Sequence, residues 1–230
     1  MTDPSNLSDY AAKMRRMSSN GTDLAVDARF VDMLAPRRAT VLDIGCGIGN
    51  AVAALRTAGH ETFGIDPAPE VLQVARELHE VSWFHELSAT ELTSETLADR
   101  RLPTRFDIVL MSGNVPAFLS ESELAHTISV IAGLLAPGGR LVVGTTTHRR
   151  GGPADLDDCA AATSLSLTQR YSDWHLGDFE ADSPWSVSVY VAPGIRHSAD
   201  GPDGIHALRD RDTIAQRHDS PASQMDWAHE

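Results

Sequence analysis

A glycine-rich turn between an apolar run and a helical stretch limits what this 230-residue chain can fold into more than any other feature. Residues 41–50 read VLDIGCGIGN. Glycine permits positive φ and lets the backbone approach a ligand with no Cβ in the way, and the first turn of a helix offers free N–H groups. In an open α/β sheet, ligands bind at the carboxyl ends of the strands, where such a turn lies. The sequence therefore predicts a ligand-binding strand, turn and helix here.

Short apolar runs alternate with helical stretches from residue 39 onward, which is typical of a parallel sheet covered on both faces. The predicted strands are 40–44, 61–65, 81–86, 106–111 and 139–145, and the predicted helices lie near 49–58, 68–79 and 121–135, the last opened by a capping box from Ser120 to Glu123. A polar loop over 144–158 leads to a short helix that ends at Ala162. Apolar and polar residues then alternate over 165–171 and 185–191, which predicts an antiparallel hairpin at the sheet edge.

Two helices are predicted before the sheet, one over residues 10–17 and one from residue 22 or 23 to Pro36. The second has apolar residues at helical spacing, namely Leu24, Ala28, Val31 and Leu34. The last stretch of the chain has few large apolar residues and predicts a mobile or loosely docked tail. We therefore divide the chain into an N-terminal helix or lid (1–21), one domain (22–194) and a polar tail (195–230).

The chain is acidic, with 32 Asp and Glu against 19 Lys and Arg, a net charge of -13 and a pI near 5.1. Such a charge repels phosphate backbones, so nucleic acid is not an expected partner. The two cysteines and the lack of zinc-ligand spacing predict neither a disulfide framework nor a metal site. No apolar run approaches the length of a membrane span. We expect a cytoplasmic protein without membrane contact, as a monomer or homodimer.

Asp66 lies at the end of the second predicted strand, 21 residues after Gly45. A carboxylate there can accept two hydrogen bonds from a ribose diol, or it can cap the next helix with Pro67 at the first position. Dinucleotide-binding folds need the pattern GxGxxG and place pyrophosphate at the helix N-terminus. Here Asn50 replaces the last glycine, and Asp43 would repel pyrophosphate. A carboxylate in that place favours a cationic amino-acid group instead, as in S-adenosylmethionine.

Four runs in the chain, VLDIGCGIGN, GIDPAPEVLQVAR, FDIVLMSGNVPAFL and LLAPGGRLVVG, resemble the ordered motifs of class I S-adenosylmethionine-dependent methyltransferases over about residues 24–192. The flanking runs TDLAVDARFVDML, TQRYSDWHL and PWSVSVY resemble a small actinobacterial-type group whose acceptors are unassigned. The resemblance implies an α/β fold: a Rossmann-like, doubly wound, seven-stranded and mostly parallel sheet with its last strand antiparallel, plus N-terminal helices.

The same resemblance assigns cofactor contacts residue by residue. The backbone of residues 45–49 would pass the methionine part, Asp43 would anchor its ammonium group, and Asp66 would hold the ribose hydroxyls. Leu87 and Ser88 stand where the family often has an acidic residue for the adenine amino group, so backbone and apolar contacts are expected there. The cofactor-binding positions so implied are Asp43, Gly45, Cys46, Gly47, Gly49, Asp66, Pro67, Leu87, Ser88 and Met111.

Methyl transfer is an in-line displacement at an activated carbon, so the protein mainly supplies proximity, alignment and exclusion of water. The sequence therefore identifies no catalytic residue and no metal ligand. Four residues are candidates for the substrate pocket, and each has a structural alternative: Tyr10 and Trp174 in packing, Asn114 in a turn and His148 in a solvated loop. The predicted function is methyl transfer from S-adenosylmethionine to a small molecule; the alternative is a non-catalytic protein that senses S-adenosylmethionine or S-adenosylhomocysteine.

Overall fold

Seven strands form one mixed sheet in the computed structural model, which describes residues 23–194. The strands are β1 (Thr40–Ile44), β2 (Glu61–Asp66), β3 (Phe84–Glu86), β4 (Phe106–Met111), β5 (Leu135–Thr146), β6 (Ser166–Tyr171) and β7 (Trp185–Val191). Their order across the sheet is β3-β2-β1-β4-β5-β7-β6. The first five pair in parallel, and β7 runs antiparallel to both β5 and β6. This arrangement confirms the predicted fold and the hairpin at the sheet edge.

Helices cover both faces of the sheet. They are α1 (Val26–Leu34), α2 (Asn50–Thr57), α3 (Pro69–Leu78), α4 (Ser94–Asp99), α5 (Glu121–Leu134) and α6 (Pro153–Ala161), with 3-10 turns at Val81–Trp83, Ala89–Glu91 and Val115–Phe118. Side chains alternate across a strand, so β1 buries Leu42 against the face that α5 and α6 cover and Val41 against the face that α1 and α2 cover. Both layers are therefore anchored on the same central strand.

Several predicted boundaries were wrong. Residues 81–83 form a 3-10 turn rather than strand, because the Glu80 carboxylate accepts a hydrogen bond from the Ser82 backbone and starts a local turn. Strand β5 begins at Leu135 rather than residue 139, since Pro137 and the glycines after it lie inside a bulge of the strand. Helix α6 begins at Pro153, within the predicted loop, because proline suits the first position of a helix.

Two further predictions are confirmed, and three concern residues that the structure does not describe. The second N-terminal helix is present as α1, and the capping box from Ser120 to Glu123 is formed, with the Ser120 backbone donating to Glu123 Oε2 at 2.8 Å. The predicted helix over 10–17, the lid over 1–21 and the tail over 195–230 lie outside the described residues. Between residues 23 and 194, no helix has both the length and the apolar character that crossing a membrane requires.

A polar cluster around the buried Tyr190 ties the edge hairpin to α6. The Tyr190 hydroxyl donates to Asp157 Oδ1 at 2.7 Å and accepts from Arg170 Nη2 at 3.0 Å, while the Arg170 guanidinium reaches both Asp157 oxygens. Tyr190 is 1% exposed, and its burial raises the pKa of the hydroxyl. Because these groups come from α6, β6 and β7, the cluster fixes the last three elements of the domain together.

Replacing this buried hydroxyl is expected to destabilise the fold. Y190F removes one donor and leaves Asp157 and Arg170 without a shared partner, which predicts a loss of about 1–2 kcal/mol in the free energy of unfolding. The matched control is Y171F on β6, whose hydroxyl has no hydrogen-bond partner among residues 23–194. Urea unfolding of both variants tests this, and equal midpoints for the two would contradict it.

Candidate functional site

The glycine turn after β1 requires glycine on both conformational and spatial grounds. Gly45, Gly47 and Gly49 have φ of +73°, +57° and +82°. A Cβ on Gly45 would lie 2.4 Å from Val115 Cγ2, and one on Gly49 would lie 2.5 Å from the Phe84 ring. The turn is thus packed between β3 and the 3-10 turn after β4, at the carboxyl ends of the strands.

The N–H groups of this turn are already used inside the protein. Those of Gly45 and Cys46 both donate to the Ile65 carbonyl, at 2.8 and 3.1 Å. The Gly47 N–H donates to Asp66 Oδ2 at 3.1 Å, and that of Gly49 donates to the Cys46 carbonyl at 3.0 Å. The turn is therefore bonded to β2 and has few donors left for an anionic ligand.

Cys46 contributes to packing rather than chemistry. Its side chain is buried beside Gly64 and Val52, where a Cβ on Gly64 would lie 2.7 Å from the Cys46 sulfur. Burial raises the pKa of the thiol well above its ordinary value, so the thiolate nucleophile is disfavoured. Since the Cys46 N–H is bonded to Ile65, it is not available as the free donor that the sequence suggests.

Asp66, at the end of β2, is not the cap of the next helix, whose N-cap is Ala68, and its carboxylate retains capacity for a ligand. Its carboxylate accepts from the Gly47 N–H and, at 2.9 Å, from the Ala68 N–H. Helix α3 begins at Pro69, close to the predicted start near residue 68, so the alternative with Pro67 at the first helical position is not realised. Pro67 lies exposed beside the carboxylate. Burial raises the pKa of Asp66, against the opposing effect of the two backbone donors. Each carboxylate oxygen has a second lone pair, so two further hydroxyl donors can be accommodated.

Asp43 is a buried carboxylate without a counter-ion. It is 1% exposed, and its Oδ1 has no hydrogen-bond partner. Burial raises its pKa well above the ordinary range, and the nearby charges of Asp27 and Asp66 raise it further. No Lys, Arg or His of residues 23–194 forms an ion pair with it. A buried charge of this kind is stabilised only by a cation or a proton, so the position suits a cationic ligand group.

The residues predicted on the adenine side offer mainly backbone groups. Leu87 is 2% exposed in the core, and its N–H donates to the Asp66 carbonyl at 3.2 Å. The Ser88 hydroxyl caps a 3-10 turn by accepting from the Thr90 N–H at 3.3 Å. Met111 is fully buried at the end of β4. Of the two positions predicted on the adenine side, Leu87 therefore offers only backbone groups, and the Ser88 hydroxyl is used in the cap of the 3-10 turn.

Asn114 organises the neighbouring turn. It has φ of +62°, and its Oδ1 accepts from the Thr146 N–H at 2.9 Å and from the hydroxyls of Thr145 and Thr146 at 2.8 and 3.1 Å. Because a backbone N–H can only donate, it fixes the amide oxygen toward β5. This is the turn role that the sequence allowed, and a contact with substrate through Nδ2 stays a prediction.

The other predicted pocket residues are placed differently. His148 is exposed in the loop after β5, as a solvated loop requires. Trp174 is partly buried, with its ring edge-on to Phe30 of α1 at a centroid distance of 5.6 Å. It also reaches Gly144, where a Cβ would lie 2.5 Å from Trp174 Cζ2. Tyr10 lies outside the described residues.

Sequence reasoning missed Asp27, which lies in the first turn of α1. Burial raises its pKa, an interaction with Ser112 and the Ala28 N–H lower it, and Asp23 raises it. Its charge also acts on Asp43, so the two carboxylates lie close enough to influence each other. The sequence did hold a signal, because Asp27 takes the i+3 position after Leu24 on the otherwise apolar face of the predicted helix.

Known proteins show the same architecture. A family model described as a methyltransferase domain matches residues 42–141. A ubiquinone biosynthesis O-methyltransferase of Alkalilimnicola ehrlichii is 36% identical over 108 residues, which cover 46% of this chain and 40% of the relative. A demethylmenaquinone methyltransferase of Thermus thermophilus is 33% identical over 135 residues, which cover 56% of this chain and 58% of the relative.

Among solved structures, a TehB-like methyltransferase of Corynebacterium glutamicum superposes with a TM-score of 0.75 at 27% identity, covering 83% of this chain and 100% of that one. Over the matched segment the chain is similar to methyltransferases, and its fold matches that of an S-adenosylmethionine-dependent methyltransferase. It spans about two fifths to three fifths of the length of the two curated relatives. The matched segment includes the glycine turn, Asp43 and Asp66, while Asp27 lies outside it.

Between residues 23 and 194 the chain holds no group of three or more His, Cys, Asp or Glu side chains placed to bind a metal ion. The site consists instead of a glycine turn flanked by three carboxylates, Asp27, Asp43 and Asp66.

The glycine turn predicts a sharp contrast between two alanine substitutions. G49A forces a side chain into a left-handed conformation and against Phe84, and is expected to cost about 2–4 kcal/mol of stability. G133A, in the exposed last turns of α5 where nothing lies within 4 Å, is expected to stabilise the protein by about 0.5–1 kcal/mol. Thermal unfolding compares the two; a G49A midpoint at or above that of the wild type would contradict the proposed constraint.

Asp43 predicts a pH effect on the unliganded protein. A carboxyl whose pKa is higher in the folded than in the unfolded state holds more protons when folded, so stability falls as pH rises from about 4 through the folded pKa. D43N removes this penalty and is expected to exceed the wild type at pH 7 by about 1 kcal/mol. Urea unfolding of D43N and the wild type at pH 4 and pH 7 tests this prediction. The difference in their free energies of unfolding is expected to vanish at pH 4. A D43N protein that is less stable at pH 7 would contradict it.

Proposed function

We propose that this protein transfers the methyl group of S-adenosylmethionine to a small-molecule acceptor. The observation that carries the proposal is the buried, unpaired Asp43 carboxylate beside the glycine turn, with Asp66 one strand away. A ligand with both an ammonium group and a ribose diol satisfies the two carboxylates at once. The names of the two curated relatives support quinone-like or other small acceptors, since both are methyltransferases of quinone biosynthesis by name.

The residues present fit this cofactor. Asp43 would receive the ammonium group, and Asp66 would accept from the ribose hydroxyls through its remaining lone pairs. Pro67 is exposed next to Asp66, and the backbone at Leu87 and Ser88 lies at the end of β3, where an adenine ring would be flanked by apolar and backbone groups. When bound, the cofactor supplies a methyl carbon already activated by a sulfonium.

A nicotinamide dinucleotide fits less well. Pyrophosphate binds to free N–H groups at the start of a helix. In this chain four N–H groups of the turn, those of Gly45, Cys46, Gly47 and Gly49, are bonded to other atoms of the protein. A pyrophosphate would also meet the charge of Asp43. The bonded N–H groups therefore favour S-adenosylmethionine over a nicotinamide dinucleotide, as the glycine spacing does.

The protein's own contribution to methyl transfer is orientation and exclusion of water. The turn, fixed to β2 by backbone bonds, holds Asp43 and Asp66 at a set separation and so defines where a bound cofactor places its methyl group. Asn114 fixes the backbone between β4 and β5 that borders this position. The acceptor contacts of Asn114, His148, Trp174 and Tyr10 remain part of the proposal. So do a cytoplasmic location, a monomer or homodimer, and the absence of nucleic-acid partners.

Calorimetric titration with S-adenosylmethionine and with NAD tests the cofactor. We expect saturable binding of the former only. D66N should weaken that binding at least about ten-fold, since a charge-assisted hydrogen bond is worth roughly 1.5–3 kcal/mol. The matched control is D99N, an exposed carboxylate at the end of α4, which should bind as the wild type does. Binding of NAD alone, or equal affinities for D66N and wild type, would overturn the assignment.

Transfer itself is tested by incubating the protein with S-adenosylmethionine labelled in its methyl group and a small-molecule extract. We expect label in a low-molecular-mass product, and up to about ten-fold less label with D66N at the same limiting cofactor concentration. Tight binding of the cofactor without any labelled product would favour the sensing alternative instead.

A further inference from the structure

A second carboxylate, Asp27, lies on α1, the helix that covers the face of β1 to which both Val41 and Asp43 belong, since Val41 packs in one cluster with Ala28, Phe30 and Val31. Asp27 lies outside the matched segment of residues 42–141, and no motif marks it. Its position is fixed because the helix buries Ala28, Phe30 and Val31 against the sheet. The neighbouring Ala28 N–H donates to Asp27 Oδ1 at 2.8 Å. The packing of α1 and this hydrogen bond therefore fix the position of the Asp27 carboxylate.

The surroundings of Asp27 join it to the end of the central strands. Ser112, which interacts with its carboxylate, directly follows β4. Strand β4 is the parallel neighbour of β1, with Leu110 in register with Asp43. Asp27 and Asp43 therefore border the same point at the carboxyl ends of β1 and β4.

Charge at this point is unbalanced. Asp27 and Asp43 repel each other, Asp66 adds to the charge at Asp43, and Asp23 adds to the charge at Asp27. The nearby Cys46 thiol is neutral, because burial raises its pKa. Asp23 is itself paired with Arg29, whereas no cation of residues 23–194 pairs with Asp27 or Asp43. The buried Asp43 Oδ1 remains without any donor. A group that carries a positive charge and several N–H donors would neutralise these two carboxylates and form hydrogen bonds with both.

We infer that Asp27 and Asp43 together bind the α-ammonium group of the cofactor's methionine part, with Asp27 as a second cofactor-binding carboxylate supplied by the N-terminal helix. This inference rests on the proposed function. An ammonium group has three donors, enough to bond to both carboxylates. The role of α1 is then to complete the cofactor site as well as to cover the sheet.

Two ligands separate this role from a structural one. S-adenosylhomocysteine carries the α-ammonium group, whereas 5′-deoxy-5′-methylthioadenosine has the same nucleoside and thioether but lacks the amino-acid part. Calorimetric titration of the full chain with each ligand is expected to show that D27N weakens S-adenosylhomocysteine binding about ten-fold. Binding of the methylthioadenosine should change less than two-fold.

The matched control is D32N, the same substitution on the same helix, where the carboxylate is bonded to His60 away from the turn. It should bind both ligands as the wild type does. Unchanged S-adenosylhomocysteine binding in D27N would overturn the inference, and so would an equal loss of both ligands, which indicates a structural role. If the wild type binds neither ligand, the proposed function itself fails. Methylthioadenosine binding by D27N shows that the variant is folded.

Discussion

The backbone bonds between the glycine turn and β2 are the constraint on which the rest of the site depends. The Ile65 carbonyl accepts from two successive N–H groups of the turn, and Asp66 accepts from a third. These bonds set the turn's path with only protein groups, so the positions of Asp43 and Asp66 are fixed before any ligand arrives. Left-handed glycines make that path possible. Preorganisation of this kind reduces the entropy that binding would otherwise cost.

The same arrangement buries a carboxylate that does not stabilise the fold. The Asp43 carboxylate is buried with no hydrogen-bond partner at Oδ1. The charge of Asp27 raises the pKa of Asp43 further, so the ionised carboxylate is less favourable still. Residues that lower stability without a local compensation are characteristic of functional positions. By contrast, the Tyr190, Asp157 and Arg170 cluster at the other edge is fully bonded within the protein. The contrast between the two polar clusters separates a ligand site from a structural one.

The sequence predicted the elements whose signals are local. The turn, the alternation along β7 and the capping box at Ser120 each depend on a few adjacent residues. It misplaced elements where two local signals compete: Val81 and Trp83 suit a strand, yet the Glu80 cap starts a 3-10 turn. The helix predicted over 121–135 does end, at Leu134, but pairing with β4 starts β5 at Leu135 and takes Pro137 into a bulge. The proximity of Asp27 to Asp43 could not be predicted from the sequence, because it depends on the packing of α1 against β1.

The central claim is that the turn and its carboxylates form one cofactor site. A crystal structure of the full chain with S-adenosylhomocysteine tests it most directly. The account predicts the ribose hydroxyls within hydrogen-bond distance of Asp66 and the α-ammonium group against Asp43. A ligand bound elsewhere, or one whose amino-acid part points away from Asp43 and leaves it unpaired, would contradict the account.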